Sequence, residues 1–387
     1  MSIDTTLREA TDSGKVPGVV AMAASVDGPI YDGAFGVRRL GGTEAMTRDT
    51  VFRIASMTKA ITSVAAMQLV ERGKLTLDGP LPAIDAALSS PQVLTGFDAA
   101  GNPQLRPAQR PITLRHLLTH TAGFCYAFWN PNTERAIKAL GLPELSSGKL
   151  AALRQPLMFD PGERWEYGIN IDWVGRLVEE ASGQRLGAYF RDHITCPLGM
   201  TETGFVPSRE QRARQATVHQ REPGGALIPQ PREELIEREF LAGGGGLYST
   251  AGDYLLFLRM LLHHGSLNGP QILKPETVAL MNENHIGALP AGVLKTNAPL
   301  LTNNVDLFPG QRVRWGLGYL LTPDPGPNGR SRGSVTWAGL FNSYYWLDPA
   351  ERVAGLVMTQ VLPFADRQVL QLFGAFERGV YAALGKA

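Results

Sequence analysis

Phe52-Arg53-Ile54-Ala55-Ser56-Met57-Thr58-Lys59 runs without a break into Ala60-Ile61-Thr62-Ser63-Val64-Ala65-Ala66-Met67-Gln68-Leu69-Val70. The run after Lys59 is apolar nearly all the way round. A helix of that composition is buried rather than laid on a surface. It stops at Glu71-Arg72-Gly73-Lys74, where a glycine and cations suit a helix C-terminus. Ser56 stands at its start. Positions three apart on a helix share a face, so Ser56 and Lys59 point the same way. The stretch therefore predicts a hydroxyl beside an amine at the entry to a core helix.

That pairing has a chemical use. A serine hydroxyl is a poor nucleophile until a base takes its proton. A lysine serves as that base only if its pKa falls from about 10.4 towards about 7–8. Burial supplies the desolvation, and the free N–H groups of a helix start favour developing negative charge. Ser-x-x-Lys also arises by chance in many helices, so the rest of the chain has to support it.

With 387 residues, 44% hydrophobic and 19% charged, the chain has core enough for two domains, or for one domain with a large insertion. A net charge of +1 gives no global field for nucleic acid or an anionic membrane. No apolar run reaches the roughly 18 residues that a membrane span needs. The start of the chain lacks the basic and apolar regions of a signal peptide. Two cysteines, Cys125 and Cys196, are too few for a disulfide framework, which predicts a reduced, cytoplasmic protein.

Read in order, Leu7 to Ser13 predicts a short helix ended by Gly14. Gly18 to Val26 and Ile30 to Gly36 predict two strands joined at Asp27-Gly28. Prolines 80, 82, 91, 103, 107 and 111 break up the next stretch and mark entry into a second lobe. Thr113 caps a short helix that runs into Leu117-Leu118-Thr119-His120-Thr121-Ala122-Gly123. Helices are predicted over Thr133 to Leu140, Ser147 to Arg154 and Gln184 to Ile194, and after Tyr167-Gly168. Gly204 to Glu239 reads as loop returning to the first lobe. Asp253 to His263 is helical, strands follow between Trp315 and Val361, and Ala365 to Leu384 closes the chain as a helix. Strands near both ends with helices between predict one sheet built from both ends of the chain.

A Ser/Lys site also needs a proton carrier and oxyanion donors. Tyr167 lies at a turn before a helix, where its hydroxyl projects. Gly339, in Trp337-Ala338-Gly339-Leu340 at the end of a predicted strand, permits close backbone approach, so that the next N–H can face a ligand. The ordered set of the Ser56 stretch, Leu117–Gly123, Pro161-Gly162 ahead of Tyr167, Pro197-Leu198-Gly199-Met200-Thr201-Glu202-Thr203 and Gly244-Gly245-Gly246-Leu247-Tyr248-Ser249-Thr250 resembles the serine β-lactamase and penicillin-binding-protein superfamily, on its class C side. Within it the chain is most similar to the family VIII carboxylesterases. The resemblance runs from about Val16 to the last helix.

What it implies is an α/β (α+β) fold: an antiparallel sheet flanked by helices, formed from both chain ends (1–76 and 240–387), with a mostly helical inserted domain (77–239). Ser56 matches the nucleophile, Lys59 the general base and Tyr167 the tyrosine that shares proton transfer. That tyrosine has to have a lowered pKa, or be coupled to Lys59, to act near neutrality. The backbone N–H groups of Ser56 and Leu340 match the oxyanion hole. Two departures stand out. Class C β-lactamases carry Tyr-x-Asn where this chain has Tyr167-Gly168-Ile169, and Lys-Thr-Gly where it has Trp337-Ala338-Gly339. The apolar replacements leave the amide and carboxylate of a β-lactam unpaired, at about 1–3 kcal/mol each or more for a charge.

The resulting expectation is a serine carboxylesterase that acts on short-chain, small-molecule esters through an acyl-enzyme, without metal or organic cofactor. Phe124, Tyr126, Phe128, Trp129, Ile169, Trp337, Gly339 and Phe341 are the expected substrate contacts, with core packing as the competing role for the aromatic ones. A β-lactamase, a D-amino-acid peptidase, an acyltransferase and a catalytically inactive binding protein are the alternatives. Monomer and homodimer fit equally. Three decoys are set aside. Ser331 in Gly329-Arg330-Ser331-Arg332-Gly333 lies in a loop, not on a strand–helix turn. His116 and His120 have zinc-helix spacing but no acid between them. Cys125 has no partner histidine in sight.

Overall fold

The computed structural model describes residues 2–386. Its centre is a seven-stranded antiparallel sheet made from both ends of the chain. In spatial order the strands are Pro29–Gly36, Gly18–Ser25, Val353–Met358, Ser343–Asp348, Ser334–Gly339, Leu320–Thr322 and Arg314–Trp315. The two ends meet where Val20 pairs with Met358 and Ser25 with Val353. The central strands are buried at every position, so both faces of the sheet are covered. Alternation along one strand shows how. Tyr345 meets Tyr254 of the Ala251–Leu262 helix on one face, while Trp346 meets Phe376 of the Arg367–Ala383 helix on the other. Gly355 pairs with Trp346, and a Cβ there would come within 2.2 Å of the indole, so only glycine fits beneath that ring.

The Thr58–Glu71 helix is buried from Thr58 through Leu69, as its all-round apolar pattern demands. It ends at Gly73 with φ 68°, a left-handed stop. It packs against the Asn170–Ser182 helix. Among the described residues no helix is long and apolar enough to cross a membrane.

Three expectations need correction. The proline-rich stretch holds a hairpin, Gln92–Phe97 with Pro103–Pro107. Its prolines sit at the ends of the second strand, where a missing N–H is tolerated. Ser147 to Arg154 makes only 3-10 turns, at Leu145–Ser147 and Leu150–Leu153. Gly204 to Glu239 is mostly irregular but contributes a short helix, Arg209–Ala213, and two strands. Of these, His219–Arg221 pairs in parallel with Val361–Leu362.

Candidate active site

Ser56 lies in a 3-10 turn, Ala55–Met57, just ahead of the core helix. Ala55 before it has φ 44°, a left-handed conformation that a residue with a Cβ seldom adopts. Such strain persists only where the surroundings enforce it. Here the Ser334–Gly339 strand ends against the turn: a Cβ on Gly339 would lie 2.4 Å from the Ile54 carbonyl oxygen. Leu340, the next residue, borders the same cavity as Ser56. Among the described residues neither the Ser56 nor the Leu340 N–H donates to another protein group.

Lys59 is fully buried. Its Nζ donates to Ser56 Oγ at 3.1 Å, to Tyr126 OH at 3.0 Å and to the Gly244 carbonyl at 2.6 Å. Burial lowers its pKa to about 7, against an opposing pull from the Asp172 carboxylate. With its pKa lowered to about 7 the free amine is present near neutrality; its two N–H groups then serve Tyr126 and the Gly244 carbonyl, and its lone pair faces the serine hydroxyl.

Tyr167 sits across from this pair, its ring centroid 4.6 Å from Lys59 Nζ. Burial raises its pKa, only partly offset by hydrogen bonding with the Ser56 and Trp337 side chains. Any requirement for a lowered tyrosine pKa is therefore not met; near neutrality Tyr167 is a phenol with a proton to give. Trp337 Nε1 donates to the Tyr167 oxygen at 2.8 Å. His120 fixes the turn that carries Tyr167. Its carbonyl accepts from Glu166 N at 3.0 Å, and its Nδ1 accepts from Gly168 N at 3.4 Å and from Asn170 Nδ2 at 3.0 Å. Burial and the Lys59 charge hold this imidazole neutral.

These groups open onto a cavity of about 1210 Å³, larger than the roughly 300–1,000 Å³ of ordinary ligand pockets. Tyr126, Phe128, Trp129, Ile169, Trp337 and Phe341 all border it, as expected, and so does Leu340. Two expected contacts fail. Phe124 is 0% exposed and packs towards Trp173, while its carbonyl accepts from Asn170 Nδ2. Gly339 faces the Ile54 backbone, not the cavity. Both are apolar positions whose direction only the packed chain decides.

The family profile described as "Beta-lactamase" matches residues 3–375. The chain belongs to the beta-lactamase family. Relatives in this family include the lovastatin esterase of Penicillium rubens, 34% identical over 98% of each chain. Monacolin J acid methylbutanoyltransferase of Aspergillus terreus is 33% identical over 98% of this chain and 95% of its own. Among solved structures, a mutant simvastatin synthase from Aspergillus terreus superposes with TM-score 0.85 at 32% identity, covering 98% of this chain and 96% of that one. EstCE1, described as a hydrolase with promiscuous acyltransferase activity, gives 0.75 at 25% identity over 97% of both chains.

Within this beta-lactamase-family site, sequence reading missed three partners. Tyr126 was expected as a pocket wall, yet its hydroxyl holds Lys59. Trp337 was expected as apolar bulk, yet its N–H serves Tyr167. Asp172 was not singled out at all; a lone acid in the otherwise apolar Ile171-Asp172-Trp173-Val174 was the one available signal. The decoys take structural roles. Ser331 N donates to Asp348 Oδ2 at 2.7 Å, and its Oγ to Glu351 Oε1 at 3.3 Å. His116 closes a capping box with Thr113 at the start of the Leu114–Leu118 helix. Cys125 donates to Glu166 Oε2 at 3.0 Å, and burial pushes its thiol pKa up, away from a reactive thiolate.

The Trp337 contact makes a prediction. Trp337→Phe keeps the ring and removes the donor to the phenol oxygen. A hydrogen bond that strengthens as charge develops contributes about 1.5–3 kcal/mol, so kcat should fall about 10–100-fold with little change in melting temperature. Unchanged turnover of a p-nitrophenyl ester would mean that the contact only packs the ring.

Proposed function

We propose that this chain moves acyl groups from carboxylic esters to water or to an alcohol, through an acyl-enzyme on Ser56. The observation that carries this reading is the 3.1 Å contact between Ser56 Oγ and a fully buried Lys59. In the proposed scheme Lys59 takes the serine proton and Oγ attacks the ester carbonyl. The Ser56 and Leu340 N–H groups receive the oxyanion. Tyr167 passes a proton to the departing alkoxide and recovers it from Lys59. Water or a second alcohol then reverses the sequence and frees Ser56.

The simple short-chain carboxylesterase expected from the sequence is too narrow. The relatives carry esterase and acyltransferase names alike. The cavity volume supports an ester with a bulky apolar portion, or an acyl donor and an acceptor alcohol in turn. We further propose the division into a sheet domain (1–76 and 240–387) and an inserted domain (77–239), with the site between them. We also propose a cytoplasmic setting, because two cysteines are too few for a disulfide framework.

The test uses a chromogenic short-acyl ester with and without an alcohol acceptor. Hydrolysis alone in water, and a new ester when a bulky apolar alcohol is added, are the expected results. Absence of both reactions would sink the proposal and favour a binding protein.

The same cavity predicts poor handling of β-lactams. Ile169 offers their amide no hydrogen bond, and Asn170 beside it is turned towards His120 and Phe124. The Trp337 N–H is already engaged by Tyr167. Arg53 borders the cavity, but its guanidinium pairs with Glu233 at 3.4 Å and stacks over Phe341. Unpaired polar groups on a substrate allow large discrimination. The ratio of kcat/KM for a p-nitrophenyl ester to that for a chromogenic cephalosporin should be at least on the order of 10². A preference for the cephalosporin would overturn the ester assignment while leaving Ser56 and Lys59 in their proposed roles.

A further inference from the structure

Asp172 is a buried charge that the scheme above leaves unused. It lies in the first turn of the Asn170–Ser182 helix and is 1% exposed. Its Oδ1 accepts from Gly244 N at 2.9 Å. Its Oδ2 is sealed from water and has no hydrogen-bond partner among the described residues. A Cβ on Gly244 would lie 2.6 Å from Oδ2, so the carboxylate is pressed against that residue. The same glycine holds the lysine: its carbonyl accepts from Lys59 Nζ at 2.6 Å. One backbone residue thus ties the acid to the amine. A buried carboxylate with an unpaired oxygen is costly unless a cation stands nearby. Lys59, when protonated, is that cation: burial raises the Asp172 pKa, and the Lys59 charge opposes the rise.

We propose that Asp172 is a positioning residue for Lys59: through Gly244 it fixes the amine against Ser56, and its negative charge steadies the ammonium formed when Ser56 gives up its proton. This rests on the Ser56–Lys59 reading above. The proton balance is simple. The Ser56 O–H bond breaks, a Lys59 N–H bond forms, and Oγ bonds to the acyl carbon. The proton leaves with the alkoxide through Tyr167, and Asp172 neither gains nor gives a proton in this transfer. Without a facing negative charge, burial lowers the basicity of the lysine further and slows that transfer. The other titratable groups around Lys59 cannot substitute. Tyr126 and Tyr167 are kept as neutral phenols by burial, and His120 as a neutral imidazole by burial and the Lys59 charge.

Asp172→Asn separates charge from shape, because its amide oxygen still accepts from Gly244 N–H. Removing the negative charge lowers the Lys59 pKa further. The acidic limb of the kcat/KM profile should therefore move to lower pH, by about one unit or more. The plateau kcat should fall on the order of 10²-fold, because the weaker base takes the serine proton less readily. A residue needed only for packing would leave that limb in place. Labelling of Ser56 by a fluorophosphonate, followed by mass spectrometry in both proteins, keeps the two ideas apart. Label on Ser56 with an unmoved limb overturns the Asp172 proposal alone. Wild-type protein that takes no label at Ser56 overturns the serine reading and this proposal with it. If the Asn variant does not fold, the wild type carries the test. An NMR titration of 13C-lysine-labelled protein should show the Lys59 signal moving in two steps, as a coupled pair requires. A single step overturns the proposal.

Discussion

Ser56→Ala will remove ester hydrolysis by at least on the order of 10³-fold, since loss of a nucleophile leaves only binding and oxyanion stabilisation. Ser331→Ala will stay close to wild type. The contrast follows from context. Ser56 sits on a strained turn at the foot of the cavity, with a buried amine 3.1 Å from its oxygen. Ser331 sits in a loop whose backbone and hydroxyl are spent on Asp348 and Glu351. Its neighbour Arg330 is locked in a buried ion pair with Glu377. Reaction with a fluorophosphonate and mapping of the adduct give a second readout. An adduct on Ser331 with Ser56 untouched would end the assignment, whatever the kinetics of the alanine variants.

Lys59→Arg comes next in size. Arginine keeps the charge but never yields a free base near neutrality. A loss on the order of 10²–10⁴ in kcat is expected, the usual size of a general-base contribution. The pH profile adds a sharper criterion. The amine must be unprotonated to accept the serine proton, and burial places its pKa at about 7. Wild-type kcat/KM should therefore be full above that value and decline as pH falls through it. The arginine variant should lose that limb along with its rate. An arginine variant with wild-type turnover and the same limb would mean that Lys59 only places charge and that another group is the base.

Much of this site was legible along the chain because its parts are local. Ser56 and Lys59 are one helical turn apart, and the buried helix after them is visible as an unbroken apolar run. Gly73 and Thr113 mark a helix stop and a cap that depend on neighbouring residues only, and each is where its residue type predicts. The strands at both ends were readable from β-branched and aromatic runs between turn residues. The Gln92–Phe97 hairpin was not readable, since its prolines look like breakers until the pairing shows them at strand ends.

Sequence alone determined the Ser56–Lys59 pairing, the joining of both chain ends in one sheet and the apolar exchange at Ile169 and Trp337. All of these follow from short-range spacing or residue type. Tertiary structure decided the rest, because each remaining feature joins residues far apart in sequence. Tyr126 meets Lys59 across 67 positions, Trp337 meets Tyr167 across 170, and Gly244 meets Lys59 across 185. No periodicity encodes such contacts. The pKa directions belong to the same class: burial, a property of the whole packed chain, lowers the Lys59 pKa to about 7 and keeps Tyr167 a phenol.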